Sequence, residues 1–241
     1  MTNKPNKPNL TPLAFSSASE RNKDPILRIL VDAFRECKHV LEIGSGTGQH
    51  AVHFARRLPQ LMWQATDLPE NLPDLTQRIE REGSSNLLPP IALDVRIHPW
   101  PVASIDGVFS ANTFHIMDWN SAGHFFRGVG EGLQPGGALC IYGPFRYGGR
   151  YTSDSNAAFD RDLRARDPAS GIRDFEAVNE LAEKQGLALL ADHAMPANNQ
   201  TLVWMRAGGQ PLSLVASPVA SSRNHGQMGG SMSGQGGGTT G

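Results

Sequence analysis

Two kinds of segment alternate along the chain. One is a short apolar run, and the other is a longer stretch with an apolar residue every three or four positions. The short runs predict strands at 39–43, 62–66, 90–94, 105–111, 138–143, 187–194 and 200–206. Helical spacing predicts helices at 49–58, 71–82, 120–132 and 172–185. Asp24-Pro25 predicts the N-cap and first residue of a helix that precedes the first strand. Alternating strands and helices indicate an α/β fold with a sheet covered on both faces.

The last two predicted strands are joined by a short link, Met195-Pro-Ala-Asn-Asn199. Parallel strands need a crossover of a dozen or more residues, so these two strands must form an antiparallel hairpin. The pattern is therefore a set of parallel strands that ends in a hairpin. A dinucleotide-binding fold would instead continue with parallel strands.

The first predicted strand runs directly into a glycine-rich turn. Its candidate ligand-binding positions are Glu42, Gly44, Ser45, Gly46, Gly48 and Gln49. Glycines leave backbone N–H groups bare at a helix N-terminus, where nucleotide-like ligands bind. A dinucleotide fingerprint needs glycine where Gln49 stands. The G-x-G-x-G spacing after an acid instead resembles motif I of the class I methyltransferases that use S-adenosylmethionine (SAM).

Two acidic residues at predicted strand ends would complete such a cofactor site. Asp67 follows the second strand 23 residues after Gly44, where its carboxylate, with Leu68 beside it, can accept both ribose hydroxyls. Asp94 ends the third strand and can accept the adenine amino group, with Val95 packed on the ring. The alternatives are that Asp67 only forms a turn and Asp94 only caps its own loop.

Three further positions belong to the expected cofactor site. The fourth predicted strand ends at Asn112, and its backbone should pass beneath the sulfonium and ribose. Arg21 and Asn22 precede the first helix and can fold back over the mouth of the site. Glu42 either faces the cofactor or ties the turn.

Several local motifs resemble one family more closely, the methyltransferase-like proteins catalogued as domain of unknown function 938. The motifs are Ala18-Ser-Glu-Arg-Asn-Lys-Asp-Pro-Ile-Leu27, Tyr142-Gly-Pro-Phe145, Ser153-Asp-Ser-Asn156, Gly171-Ile-Arg-Asp174 and Met195-Pro-Ala-Asn-Asn199. A further turn, Leu133-Gln-Pro-Gly-Gly137, resembles the turn before the fifth strand of class I methyltransferases in general. The resemblance to the family spans about residues 14–206. It implies a class I, seven-stranded Rossmann-like sheet and SAM as cofactor, and it implies no substrate.

The long connection 144–171 follows the fifth strand, where the substrate would sit. It carries four aromatic residues, five arginines and four aspartates. We expect a lid that excludes water, and the alternative is a solvated surface segment with paired charges. Candidate substrate contacts here and in neighbouring loops are Tyr147, Tyr151, Arg173, Asn198 and Asn199.

His115, just past the fourth strand, is the candidate general base, and the alternative is a packed or capping histidine. Methyl transfer needs proximity and orientation first, and a base only where the nucleophile must lose a proton. No metal-ligand spacing is evident, and we expect no metal.

Composition limits the partners and the compartment. The formal net charge of −1 provides no field that attracts nucleic acid or an anionic membrane. Cys37 and Cys140, both expected to be buried, make no disulfide framework, and neither a secretory signal nor a membrane span is recognisable, so we expect a cytoplasmic protein. We expect one domain at 14–208, flanked by disordered segments at 1–13 and 209–241.

The combined pattern favours a SAM-dependent methyltransferase that acts on a small-molecule acceptor. An oxidoreductase with a nucleotide cofactor is disfavoured by Gln49 and by the terminal hairpin. A SAM-binding regulator or scaffold without catalysis stays open, because the fold demands no catalytic side chain. The methyl acceptor and the oligomeric state do not follow from the sequence.

Overall fold

The computed structural model describes residues 12–102 and 104–208. Its main feature is a seven-stranded sheet with the order β3-β2-β1-β4-β5-β10-β9. The strands are β1 (His39–Ile43), β2 (Met62–Asp67), β3 (Leu87–Ala92), β4 (Ile105–Ala111), β5 (Leu133–Gly143), β9 (Leu187–Met195) and β10 (Asn199–Arg206). The first five strands pair in parallel, and β10 pairs antiparallel with both β5 and β9. The predicted fold class, with its terminal hairpin, is confirmed.

Helices flank this sheet, and two hydrophobic clusters fill the space on either side of it. The helices are α1 (Ser17–Ala33), α2 (Gln49–Arg57), α3 (Leu72–Glu82), α4 (Trp119–Gly132), α5 (Asp154–Arg166) and α6 (Phe175–Glu183). Cys37 and Cys140 are buried, as expected. No helix within the described residues is long and apolar enough to cross a membrane.

The first helix starts earlier than predicted. Ser16 is its N-cap and accepts a hydrogen bond from the backbone N–H of Ser19 at 3.2 Å, so Pro25 lies inside the helix. A proline in a helix interior removes one hydrogen bond and costs about 3 kcal/mol. The apolar face that includes Ile26 and Leu30 is buried and favours the helix in spite of that cost. The predicted start at Asp24 was wrong.

The third strand is also displaced from its prediction. It ends at Ala92, so Asp94 lies two residues beyond it. The strand contains Pro89 and Pro90, which lack backbone donors, and it forms an edge of the sheet, where prolines are tolerated.

The connection after β5 holds regular structure that the sequence pattern did not predict. Strands β6 (Phe145–Tyr147) and β7 (Arg150–Tyr151) pair antiparallel, and β8 (Arg173–Asp174) pairs in parallel with β6. Helix α5 follows β7. These elements form a second layer beside the carboxyl end of β5.

The strand order reverses between β1 and β4, because later strands add beyond β4 while β2 and β3 lie on the other side. Open α/β sheets bind ligands beyond the carboxyl ends of the strands at this reversal. The flanking segments predicted at 1–13 and 209–241 lie outside the described residues, except for Pro12 and Leu13.

Candidate functional site

A cavity of about 1050 Å³ opens beyond the carboxyl ends of β1, β2 and β4. The predicted site residues that line it are Arg21, Gly44, Ser45, Gly46, Asp67, Leu68, Asp94, Val95, Asn112, His115 and Asn199. The predicted site residues outside the lining are Asn22, Glu42, Gly48, Gln49, Tyr147, Tyr151, Arg173 and Asn198. The cavity therefore joins the expected cofactor positions to His115 in one space.

The glycine-rich turn forms one wall of the cavity, and two of its glycines have different surroundings. Gly46 has φ +54°, and a Cβ added to it would meet no protein atom within 4 Å. Gly48 has φ +74° and packs closely, because its Cβ would lie 2.8 Å from Leu75 Cδ1. Positive φ favours glycine at both positions. The open space beside Gly46 suits a ligand that lies against the backbone.

The carboxylate of Asp67 stands at the end of β2 and is already part of a hydrogen-bond network. Oδ2 accepts from the backbone N–H of Gly46 at 2.6 Å. Oδ1 accepts from the backbone N–H of Leu68 at 2.8 Å and from Asn71 Nδ2 at 2.7 Å. A carboxylate offers about four acceptor positions, so one position is left for a ligand hydroxyl. Accepting two ribose hydroxyls requires Asn71 to move away.

Glu42 lies beneath the turn and does not line the cavity. Its side chain is buried and accepts a hydrogen bond from Trp63 Nε1 at 2.8 Å. Burial raises the pKa of Glu42 to about 7, against the opposing effect of the hydrogen bonds from Trp63 and Ser45. The negative charge of Asp67 raises the pKa further. These contacts fit the alternative that Glu42 ties the turn.

Asp94 lines the cavity and also binds its own loop. Its carboxylate accepts from the backbone N–H of Arg96 at 3.0 Å and from the guanidinium of the same residue at 2.9 Å and 2.5 Å. The Arg96 hydrogen bond holds the pKa of Asp94 below its usual range. The Arg96 side chain is exposed, and such an exposed pair stabilises the fold by about 0–1 kcal/mol, so it can open for a ligand.

The N-terminal part of α1 covers the glycine-rich turn, and Gln49 holds it there. Gln49 Oε1 accepts from the backbone N–H of Ser16 at 2.5 Å, and Nε2 donates to Glu20 at 3.1 Å. Asn22 Oδ1 lies 2.7 Å from His50 Nε2 in the buried interface. Arg21 is exposed and lines the cavity. The sequence placed Gln49 and Asn22 against the cofactor, whereas the structure places them behind the wall that they hold together.

His115 lines the second half of the cavity beyond β4. Phe159 of α5 packs edge-on against its ring, with centroids 5.3 Å apart. The ring is buried, and its Nδ1 has no hydrogen-bond partner among the described residues. Burial lowers the pKa of His115 to about 4, with a smaller contribution from the positive charge of Arg173. The imidazole is therefore neutral near pH 7 and has a nitrogen able to accept a proton.

Three residues expected to contact substrate are engaged in hydrogen bonds to other parts of the protein instead. The hydroxyls of Tyr147 and Tyr151 donate to Asp192 and Asp160, each at 2.7 Å. Arg173 donates to the carbonyl oxygens of Phe114, Met117 and Ala169, at 3.1, 2.5 and 2.7 Å. This arginine fastens the loop after β4 to the connection beyond α5. A substrate contact by any of the three stays a prediction that this arrangement does not support.

Several lining residues were missed in the sequence. They include Asn71, Thr113, Asp118, Asn156 and Phe159. Asn71 follows Asp67 by one helical turn, a spacing at which a polar side chain can reach back. Asn156 belongs to the Ser153–Asn156 motif, and Phe159 follows it by three residues, so both lie on one face of α5. Nothing in the local pattern singles out Thr113 or Asp118.

Solved structures with the same fold include several methyltransferases. An O-methyltransferase family protein from Burkholderia thailandensis matches with a TM-score of 0.69 and 19% identity, covering 80% of this chain and 58% of that protein. Human N-acetylserotonin methyltransferase in complex with SAM matches with a TM-score of 0.68 and 13% identity, covering 79% of this chain and 53% of that protein. The chain thus spans a little over half the length of these proteins, and the likeness establishes a methyltransferase fold.

The family model described as "Protein of unknown function (DUF938)" matches residues 13–206. This range includes every element of the seven-stranded sheet and every residue described above as lining the cavity. The chain therefore belongs to the DUF938 family.

Proposed function

We propose that the protein is a SAM-dependent methyltransferase that acts on a small-molecule acceptor. One observation carries the proposal. A single cavity joins the glycine-rich turn and Asp67 at one end to a neutral, buried His115 at the other. Its volume of about 1050 Å³ is at the upper end of small-molecule sites, enough for a cofactor with a second ligand.

The residues present fit SAM at the first end. Gly46 leaves open space beside the backbone, Asp67 retains one acceptor position for a ribose hydroxyl, and Val95 offers an apolar side chain beside Asp94 for the adenine. Arg21 lies at the mouth beside α1. When bound, SAM would supply an electrophilic methyl group on a sulfonium.

The chain's own contribution to transfer would be orientation, removal of water and acceptance of a proton. Ile116 and Phe159 line the part of the cavity that contains His115, where the methyl acceptor would bind, and offer apolar surface to an organic molecule. His115 would take the proton of a hydroxyl or amine nucleophile on a ring nitrogen. Because its pKa is about 4, His115 stays deprotonated above about pH 5, so this group should cause no acid limb in the rate profile between pH 5 and 8.

The test is transfer of labelled methyl groups from SAM to fractionated small metabolites, followed by kinetics with the acceptor found. His115→Asn should lower kcat by about 10²-fold, the low end for a general base because a pKa of about 4 makes His115 a weak base, and it should leave the affinity for S-adenosylhomocysteine, the demethylated product, unchanged. His39→Asn is the matched control, since His39 lies at the opposite, amino end of β1. Binding of SAM without transfer to any fraction would favour a SAM-binding regulator instead.

A further inference from the structure

Two of the family motifs have no part in the cofactor site, yet they meet at one end of the cavity. Ser155 and Asn156 lie in the first turn of α5, Ala197 lies in the turn between β9 and β10, and Asn199 is the first residue of β10. All four line the cavity. We name these four residues the amide wall.

The side chain of Asn156 has a defined orientation. It is buried, with 6% of its surface exposed. Its Nδ2 donates to Thr152 Oγ1 and to the carbonyl oxygen of Asn198, each at 2.9 Å. A flipped amide would set two oxygens against each other, because a carbonyl only accepts. No described residue donates to Oδ1 of Asn156, so this acceptor is available to a ligand.

The side chain of Asn199, at the start of β10, has the same pattern of hydrogen bonds. Its Nδ2 donates to the carbonyl oxygens of Pro196 and Ala197, each at 3.2 Å. Its Oδ1 receives no hydrogen bond from the described part of the chain. Both asparagines have thus used their donors on the protein and retain their acceptors.

The turn that precedes Asn199 has an unusual backbone. Ala197 and Asn198 have φ +58° and +57°, a left-handed conformation that an alanine adopts only at an energetic cost. The hydrogen bond from Asn156 to the Asn198 carbonyl oxygen helps to hold this turn in place. The strained backbone therefore lies where it forms part of the cavity wall.

The charges around the cavity complement these acceptors. Among the described residues that line it, the arginines are Arg21 and Arg96, which belong to the segments around the glycine-rich turn and Asp94, and no lysine is present. Asp118 and Asp167 line the half that holds His115. The amide wall itself thus offers oxygen acceptors and no cationic side chain, whereas the positive charge of Arg173 acts on His115 and Asp118.

We propose that the amide wall binds an N–H or O–H group of the methyl acceptor, which is accordingly an amine or hydroxyl compound without an anionic group at this end. The inference rests on the proposed function and narrows its substrate class. An unpaired donor would match Oδ1 of Asn156 and Oδ1 of Asn199, whereas a carboxylate or phosphate would set its own acceptor oxygens against them.

The test is ligand-observed NMR with size-matched phenols, alkylamines, carboxylic acids and phosphate monoesters, with and without saturating S-adenosylhomocysteine. Amines or phenols should bind, and Asn156→Leu and Asn199→Leu should each weaken them about three- to tenfold, the loss of one hydrogen bond. Gln134→Leu replaces an exposed amide at the start of β5 and should leave binding unchanged. If Asn156→Leu does not fold, the affinity of the Asn199→Leu variant for amines and phenols provides the test alone.

Three results would overturn the inference: stronger binding of carboxylates or phosphates, unchanged affinity in the leucine variants, or no binding by any amine or phenol. Calorimetry with S-adenosylhomocysteine on each variant distinguishes a failure of this inference from a failure of the proposed function. Failure of the wild-type protein to bind S-adenosylhomocysteine would contradict the proposed function. The NMR comparison of amines, phenols, carboxylic acids and phosphate monoesters would still decide which chemical group the amide wall binds.

Discussion

Asp67→Asn perturbs a carboxylate that serves both the fold and the proposed cofactor site. The carboxylate accepts from the backbone N–H groups of Gly46 and Leu68 and from Asn71 Nδ2. An asparagine has one oxygen and one amino group, so either orientation sets a donor against a donor. One buried N–H is then left unsatisfied, which costs about 1–3 kcal/mol.

This cost should appear in the protein without ligand. For a domain of this size, 1 kcal/mol shifts the melting temperature by about 2–4 °C, so thermal unfolding should show a fall of roughly 2–12 °C. Weakening of a charge-assisted hydrogen bond to the ribose, about 1.5–3 kcal/mol, should reduce SAM affinity roughly tenfold to a hundredfold in calorimetry.

Asn71→Ala is the matched control, because it removes one donor to Asp67 and leaves the carboxylate in place. It should lower stability by no more than about 1 kcal/mol and should maintain or increase SAM affinity, since it frees an acceptor position. Unchanged SAM affinity in a destabilised Asp67→Asn protein would refute the cofactor role and leave Asp67 as a turn residue.

Three further changes test other parts of the account. Between about pH 4.5 and 7 the folded state keeps a proton on Glu42 that the unfolded state loses, so stability falls as pH rises, on the order of 3 kcal/mol. Urea unfolding from pH 5 to 8 should show that Glu42→Gln removes this dependence, and equal slopes in both proteins would contradict the shift. Gly48→Ala should lower stability by about 1–2 kcal/mol through backbone strain and contact with Leu75, whereas Gly46→Ala should weaken S-adenosylhomocysteine binding at least about tenfold; calorimetry showing the reverse ranking would exclude a ligand beside Gly46. Ala197→Gly should relieve the left-handed backbone and raise stability by up to about 1 kcal/mol, and a lower melting temperature would show that the turn is not strained.

Local pattern predicted the centre of the fold well. Strand β1, the glycine-rich turn and helix α2 follow from the apolar run and from the glycine spacing, because each depends on neighbours in sequence. The start of α1 could not be predicted in this way. It depends on Gln49, which lies 33 residues after its partner Ser16.

The second layer was missed for a different reason. Strands β7 and β8 are two residues long, too short to show a period. The buried residues of α5 are Asn156, Asp160 and Leu163. Two of the three are polar, so the sequence shows no apolar face that would predict the helix. Buried Asp160 accepts from Tyr151, Arg164 and the backbone N–H of Ile172, a network that only the folded chain assembles.

SAM should bind in the cavity beside the glycine-rich turn. Isothermal calorimetry of the full chain with SAM, S-adenosylhomocysteine and NADH tests this most directly. We expect one site per chain with micromolar affinity for SAM and S-adenosylhomocysteine, and no heat of binding from NADH. Binding of NADH without binding of either SAM or S-adenosylhomocysteine would contradict this expectation.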